Sequence, residues 1–252
     1  VYPGPLLAVL GVEINGFVAL LLLAAAAALP AGMAAARRAG FPTAFALDTW
    51  LVGGVAFVAG AAVVPALLAP LLPALGGTWS LGGLATFLAA EGALIAGHPA
   101  ARGDRLTAAG VAVIQAPLAQ LVGRLGCLAA GCCHGRPAWD LPWAVTFPAG
   151  SGSAFQGVPV HPTQLYEAAG LALLFALLRW LWSRPHRRAA LLGVYLTGYG
   201  ALRFTVEHFR GDARPMVGAL SLNQLICTAA VVAGMALLVR LQQPARLAAE
   251  AS

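Results

Sequence analysis

The amino-acid sequence predicts an all-α, polytopic membrane protein of about seven transmembrane helices, and three observations carry that expectation. The 252 residues are 60% hydrophobic and only 10% charged, against roughly a quarter charged in soluble domains. A mean hydropathy of +0.82 leaves too little polar surface to cover a water-soluble core. Seven apolar stretches are long enough, or nearly so, to cross a hydrocarbon layer roughly 30 Å thick.

The first stretch, Leu6–Ala35, is too long for a secretory signal and is followed by further spans, so it reads as a retained helix with Arg37 and Arg38 behind it. Ala44–Leu72 follows a Gly-Phe-Pro turn; Gly82–Gly97 is short and gains length from Trp79. Leu106–Ala130 opens after a charged turn containing Arg102, Asp104 and Arg105. The long connection over 131–161, rich in Gly, Pro and Trp, reads as an interfacial or re-entrant segment. Thr163–Trp182, Ala189–Val206 and Val217–Leu241 complete the set, so residues 1–252 read as a single transmembrane domain without internal repeats. Most arginines fall in or beside the loops after the first, third and fifth spans and in the tail, which places the N-terminus outside and the C-terminus inside. Arg124, Arg136, Arg203, Arg210 and Arg214 lie toward the outer half and need another explanation.

The net charge of +6 arises from 15 basic residues, all arginine. Spread through apolar segments, without a basic helix or stacking platform, they do not suit nucleic acid; an anionic phospholipid is the partner they fit. Cys127, Cys132, Cys133 and Cys227 lack the spread of a disulfide framework, and no cofactor is implied.

An arginine inside a span costs roughly 2.5–3.5 kcal/mol on insertion scales, so Arg124 and Arg203 are expected to face a polar cavity. Phosphate, rather than a neighbouring carboxylate, is expected to complete their coordination. Arg203, Glu207 and Arg210 have the i, i+4, i+7 spacing of one helix face, which serves an internal bridge as well as a phosphate site. Glu91, mid-span, is either a proton acceptor or the partner of an arginine. Cys132-Cys133-His134 offers a thiolate or imidazole, or two ligands and a third for a soft metal with no evident fourth, or plain packing at a helix end; no metal is assigned. His161-Pro162 marks a helix start, after which Thr163 or Gln164 can bond lipid carbonyls, or the segment is a plain helix cap with an interfacial Tyr166. His98 and His186 read as solvated.

Four segments, taken in order, carry a resemblance. They are Ser80-Leu81-Gly82-Gly83-Leu84; Gly123-Arg124-Leu125-Gly126 leading to Gly131-Cys132-Cys133-His134-Gly135-Arg136-Pro137; His161-Pro162-Thr163-Gln164-Leu165-Tyr166-Glu167; and Gly198 through Arg210, GYGALRFTVEHFR. In these motifs, their spacing and the helix count, the chain resembles the bacterial phosphatidylglycerol–prolipoprotein diacylglyceryl transferases, as a divergent member. The resemblance implies movement of a diacylglyceryl group from phosphatidylglycerol, or a related anionic lipid, to the lipobox cysteine of a prolipoprotein signal peptide. The site would lie toward the outer face of the bacterial inner membrane. It also implies phosphate handling by Arg124, Arg203 and Arg210 with the acid Glu207 beside them. Gly135 matches a motif glycine, and His161, Gln164, Tyr166 and Tyr199 are expected to line the lipid pocket.

The departures from that pattern fall on proton-handling positions. Leu81 stands where the family carries His, Cys127 and Cys132 where it carries Asn and Glu, and Asn15 near a usual Tyr. Cys132 and Glu91 are therefore the expected substitutes for the missing base. A second reading, a catalytically silent relative that binds or moves anionic lipid, follows from the same losses. A transporter would need paired broken helices in two similar halves, which the sequence lacks.

Overall fold

The computed structural model describes residues 7–9, 12–14, 16–68, 79–212 and 215–250; Asn15 and Arg214 lie outside them, as do the side chains of Glu13 and Leu81. The described residues are mainly helical: α1 (Gly16–Ala39), α2 (Thr43–Leu68), α3 (Trp79–Gly97), α4 (Arg105–Ala130), α5 (Thr163–Trp182), α6 (Leu191–Glu207) and α7 (Leu222–Glu250). Among the described residues, five stretches are long and apolar enough to cross a membrane, namely Thr43–Gly60, Arg105–Ala130, Thr163–Trp182, Pro185–Glu207 and Leu222–Gln242. Large apolar side chains such as Leu173 on α5 and Val232 on α7 remain exposed, as a lipid solvent allows.

Three short hairpins interrupt the helical pattern: β1 (Leu7–Val9) with β2 (Val12–Ile14), β3 (Val145–Thr146) with β4 (Pro159–Val160), and β5 (Met216–Val217) with β6 (Leu220–Ser221). They correct two predicted boundaries. The first helix begins at Gly16 rather than Leu6, and the last at Leu222 rather than Val217. Apolar residues in a short hairpin and in a helix give the same hydropathy, so periodicity could not separate them. The cap of α7 fixes its start: the Ser221 Oγ accepts from the Gln224 N–H at 3.1 Å, and the Gln224 Oε1 accepts from the Ser221 N–H at 2.9 Å, a reciprocal capping box.

The chain divides into two compact units, one of Val1–Ala28, Ala116–Leu181 and Gly193–Ser252, the other of Leu29–Gln115 and Trp182–Leu192. In the second, α2 packs along α3, and Gly53 abuts the Glu91 carboxylate so closely that a Cβ there would collide with it. Glu91 is buried, with Oε2 lacking a hydrogen-bond partner among the described residues. Gln115 of α4 donates to the Thr49 hydroxyl at 3.2 Å. His98 is not the solvated residue expected: its Nε2 meets Asp48 at 3.3 Å and its Nδ1 accepts from the Ala100 N–H at 3.2 Å. His186 is exposed.

Candidate active site

The first unit holds the remaining candidate residues, and three ion pairs, each with at least one buried partner, organise them. Arg124, toward the C-terminal end of α4, places Nη2 3.0 Å from Oε1 of Glu167 near the start of α5. The Tyr199 hydroxyl of α6 donates to the same Oε1 at 3.4 Å, so one carboxylate links three helices. Tyr199 stacks on Tyr195, whose hydroxyl donates to Gln120 at 3.2 Å. One helical turn further along α6, Arg203 Nη1 lies 2.7 Å from Glu207 Oε2. The other Glu207 oxygen accepts from Ser221 Oγ at 3.0 Å and from Asn223 Nδ2 at 3.1 Å, tying α6 to the start of α7. Beyond the helix end, Arg210 donates through Nε and Nη2 to the two oxygens of Asp212, at 2.8 and 2.7 Å. Burial works against the Arg210 charge, but Asp212 and Cys133 outweigh it and hold the guanidinium above its ordinary range.

These pairs correct the expectation that phosphate alone completes the arginines: each has an internal carboxylate. A guanidinium carries five N–H donors, however, so the single contact of Arg124 with Glu167 does not exhaust it. Glu207, Arg210 and Asp212 line a cavity of about 390 Å³ together with His208, Met216 and Gln224. Arg124 and Arg203 are not among the residues that line this cavity.

The segment after α4 is fixed by backbone pairing. Gly135 donates its N–H to His161 O at 3.0 Å, Arg136 to Phe209 O at 2.9 Å, and His161 to Arg136 O at 3.1 Å. A Cβ on Gly135 would lie 2.5 Å from His161 Cβ and 2.8 Å from Phe209 O, which is why a glycine stands there. Gly135→Ala is expected to destabilise the protein by about 3 kcal/mol, the upper range for overpacking, because backbone atoms cannot yield as a side chain would. Thermal unfolding in detergent checks this, and an unchanged midpoint would dissociate the strand pairing from stability.

His161 Nδ1 lies 3.2 Å from the Tyr166 hydroxyl, which also accepts from Trp143 Nε1 at 3.0 Å, and both rings pack on Phe209. Burial, reinforced by Arg136, lowers the His161 pKa. Thr163 and Gln164 are turned to other work than expected. The Thr163 hydroxyl donates to Cys133 O and the Gln164 amide to Cys132 O, each at 2.7 Å, so they bond the chain's own carbonyls. Both are almost fully buried.

The sulfurs of Cys127, Cys132 and Cys133 lie within 4.8 Å of one another. Cys132 is the substitute base that the sequence predicts. Its thiol donates to Cys127 O at 3.7 Å, and hydrogen bonding with Cys127 and Cys133, together with burial, pushes its pKa up. Cys133 moves the other way, held down by thiol hydrogen bonds and by Arg210 and Arg124. His134 stays out of the cluster: its Nε2 accepts from the Ala154 N–H at 3.1 Å and its Nδ1 lies 3.1 Å from Gly135 O. Glu91 belongs to the other unit, buried against α2.

Glu167, Asp212, Ser221 and Asn223 escaped the sequence reading as site residues. A carboxylate at the start of an apolar span was the signal for Glu167; Asp212 and the two α7 residues gave none, because only the turn geometry brings them to an arginine or to Glu207.

The sequence profile of the prolipoprotein diacylglyceryl transferase family matches residues 5–240. Among similar curated proteins, one of Azoarcus sp. strain BH72 is 41% identical over 128 residues, covering 48% of this chain and 46% of that protein. One of Rhodospirillum centenum is 41% identical over 151 residues, covering 56% and 50%. One of Methylococcus capsulatus strain Bath is 37% identical over 166 residues, covering 62% and 61%. All three bear the name phosphatidylglycerol–prolipoprotein diacylglyceryl transferase. The chain spans about half the length of the first two of these relatives. A match over nearly the whole chain, on a multi-pass membrane bundle that buries the motif arginines against acids, places this protein in the prolipoprotein diacylglyceryl transferase family.

Proposed function

We propose that this protein transfers the diacylglyceryl group of phosphatidylglycerol, or a related anionic lipid, to the cysteine thiol of a prolipoprotein signal peptide. The reaction would occur at the outer face of the bacterial inner membrane, in a bundle of seven spans with the N-terminus outside and the C-terminus inside. The observation that carries this reading is the set of buried guanidinium groups, Arg124, Arg203 and Arg210, held in place by carboxylates within a family match that includes all three.

In the step, the acceptor sulfur forms a bond to a glycerol carbon as the carbon–oxygen bond to phosphate breaks; the thiol proton passes to a base, and glycerol phosphate departs. The developing phosphate charge needs donors already fixed in position, a contribution of about 10²–10³ in rate per donor. We assign these donors to Arg203 and Arg210, of which Arg210 stands on the cavity wall. Glu207 serves as proton acceptor: it is oriented by Arg203, Ser221 and Asn223 and reaches the same cavity.

The test incubates the purified protein with radiolabelled phosphatidylglycerol and a lipobox peptide. The expected products are the thioether-linked peptide and free glycerol phosphate. Lipid binding without either product would support the silent relative, a reading favoured by the internal carboxylate on every motif arginine.

A further inference from the structure

We propose that Cys127, Cys132 and Cys133 form a binding site for one soft, thiophilic cation, Zn(II) or Cu(I), held by three sulfurs at the C-terminal end of α4. This goes beyond the transfer reaction and does not depend on it.

Geometry is the first support. The three sulfurs already lie within 4.8 Å of one another. Sulfurs sharing an ion at a bond length of about 2.3 Å stand roughly 3.8–4.0 Å apart, so small side-chain rotations close the site. All four cysteines of the chain are free thiols, and three of them meet here.

The backbone around the cluster is fixed before any ion arrives. Cys132 donates its N–H to Cys127 O at 3.1 Å, which turns the chain back over the helix end. The carbonyls of Cys132 and Cys133 are pinned by Gln164 and Thr163 of α5, each at 2.7 Å. Cys133 has a φ of 61°, the sole non-glycine residue in the left-handed region among those described. That conformation costs on the order of 1–3 kcal/mol and persists where the surroundings over-determine it. Here it turns the Cys133 side chain toward the other two sulfurs rather than away from them.

Charge is the third support. Three thiolates around a monovalent or divalent cation leave a net negative site, which requires nearby positive charge. Arg210 and Arg124 both lie near enough to Cys133 to act on it electrostatically. Both guanidinium groups are therefore placed to stabilise the thiolates that bind the ion, the role outer-shell groups play in metal sites.

Sulfur ligation selects Cu(I) and Zn(II) over hard ions. Among the described residues no His, Asp or Glu joins the cluster, and both nitrogens of His134 are occupied. Three sulfurs complete a trigonal Cu(I) site, whereas Zn(II) would take its fourth ligand from water or from a bound thiol.

The full chain, purified in detergent under reducing conditions without chelator, is dialysed against Zn(II) alone or Cu(I) alone and analysed for bound metal by mass spectrometry. One equivalent per chain is expected with one of the two, surviving competition by a weak chelator; the ion that binds settles which chemistry operates. Cys132→Ser and Cys133→Ser should each weaken binding at least about a hundredfold, the upper range for loss of even an outer-shell partner. Cys227→Ser, a buried cysteine of α7 outside the cluster, should retain full binding. Elution of each variant as the wild-type species shows that it is folded. No metal with all thiols alkylatable, a disulfide within the cluster in its place, or equal binding by all three variants would overturn the proposal.

Discussion

Arg203→Gln is expected to lower kcat/KM for diacylglyceryl transfer by at least about a hundredfold, the low end of the range for one preorganised donor to a developing anion. The same change removes the 2.7 Å partner of Glu207, which is 8% exposed. Breaking a buried pair from one side costs about 3–5 kcal/mol, because the remaining charge stays desolvated. The two effects separate in a double-mutant cycle. If Arg203 and Glu207 were a bridge and nothing more, Arg203→Gln with Glu207→Gln would restore most of the stability and the activity together. The proposed roles, phosphate donor for Arg203 and proton acceptor for Glu207, together predict recovered stability with activity still lost. Arg203→Lys sharpens the distinction, since it keeps the charge but not the planar fork. Unaltered turnover in a well-folded Arg203→Gln protein would remove this arginine from the chemistry.

The helical character and most span boundaries were legible because apolar length is a strong signal that lipid imposes directly. The motif arginines were legible for the opposite reason: charge inside a span is costly enough to stand out. What paired with them was not. Asp212 reaches Arg210 only because the chain turns sharply after α6, and Ser221 and Asn223 reach Glu207 only because a hairpin sets the start of α7. Such contacts depend on loop geometry that hydropathy does not encode. The cysteines show the same division. Cys127 and Cys132 were visible as departures at two separate motif positions, yet their meeting with Cys133 follows from the left-handed turn at Cys133. Gln164 illustrates the reverse error: its motif position suggested a lipid contact, while burial and the Cys132 carbonyl claim it for the scaffold.

Replacing Glu167 with Leu should be among the most destabilising single changes in the chain, by about 3–5 kcal/mol. Glu167 is 1% exposed and is the one group that Arg124 of α4 and Tyr199 of α6 share. Leucine fits the apolar surroundings in size but leaves the Arg124 guanidinium without its carboxylate inside a span and the Tyr199 hydroxyl without its acceptor. Neither loss can be met by bulk water at that depth. Glu167→Gln retains an oxygen for both donors and removes only the charge, so it should cost less, about 1–3 kcal/mol, the worth of a charged hydrogen bond. Pairing it with Arg124→Gln replaces an ion pair by an amide pair and should recover part of that loss, since a neutral pair carries a smaller desolvation cost. Equilibrium unfolding in mixed micelles gives the three values. The order Leu, then Gln, then the double variant, from least to most stable, is the expected result. A Glu167→Leu protein as stable as the parent would mean that Arg124 is satisfied elsewhere, and the carboxylate would then have to be explained by chemistry rather than by the scaffold.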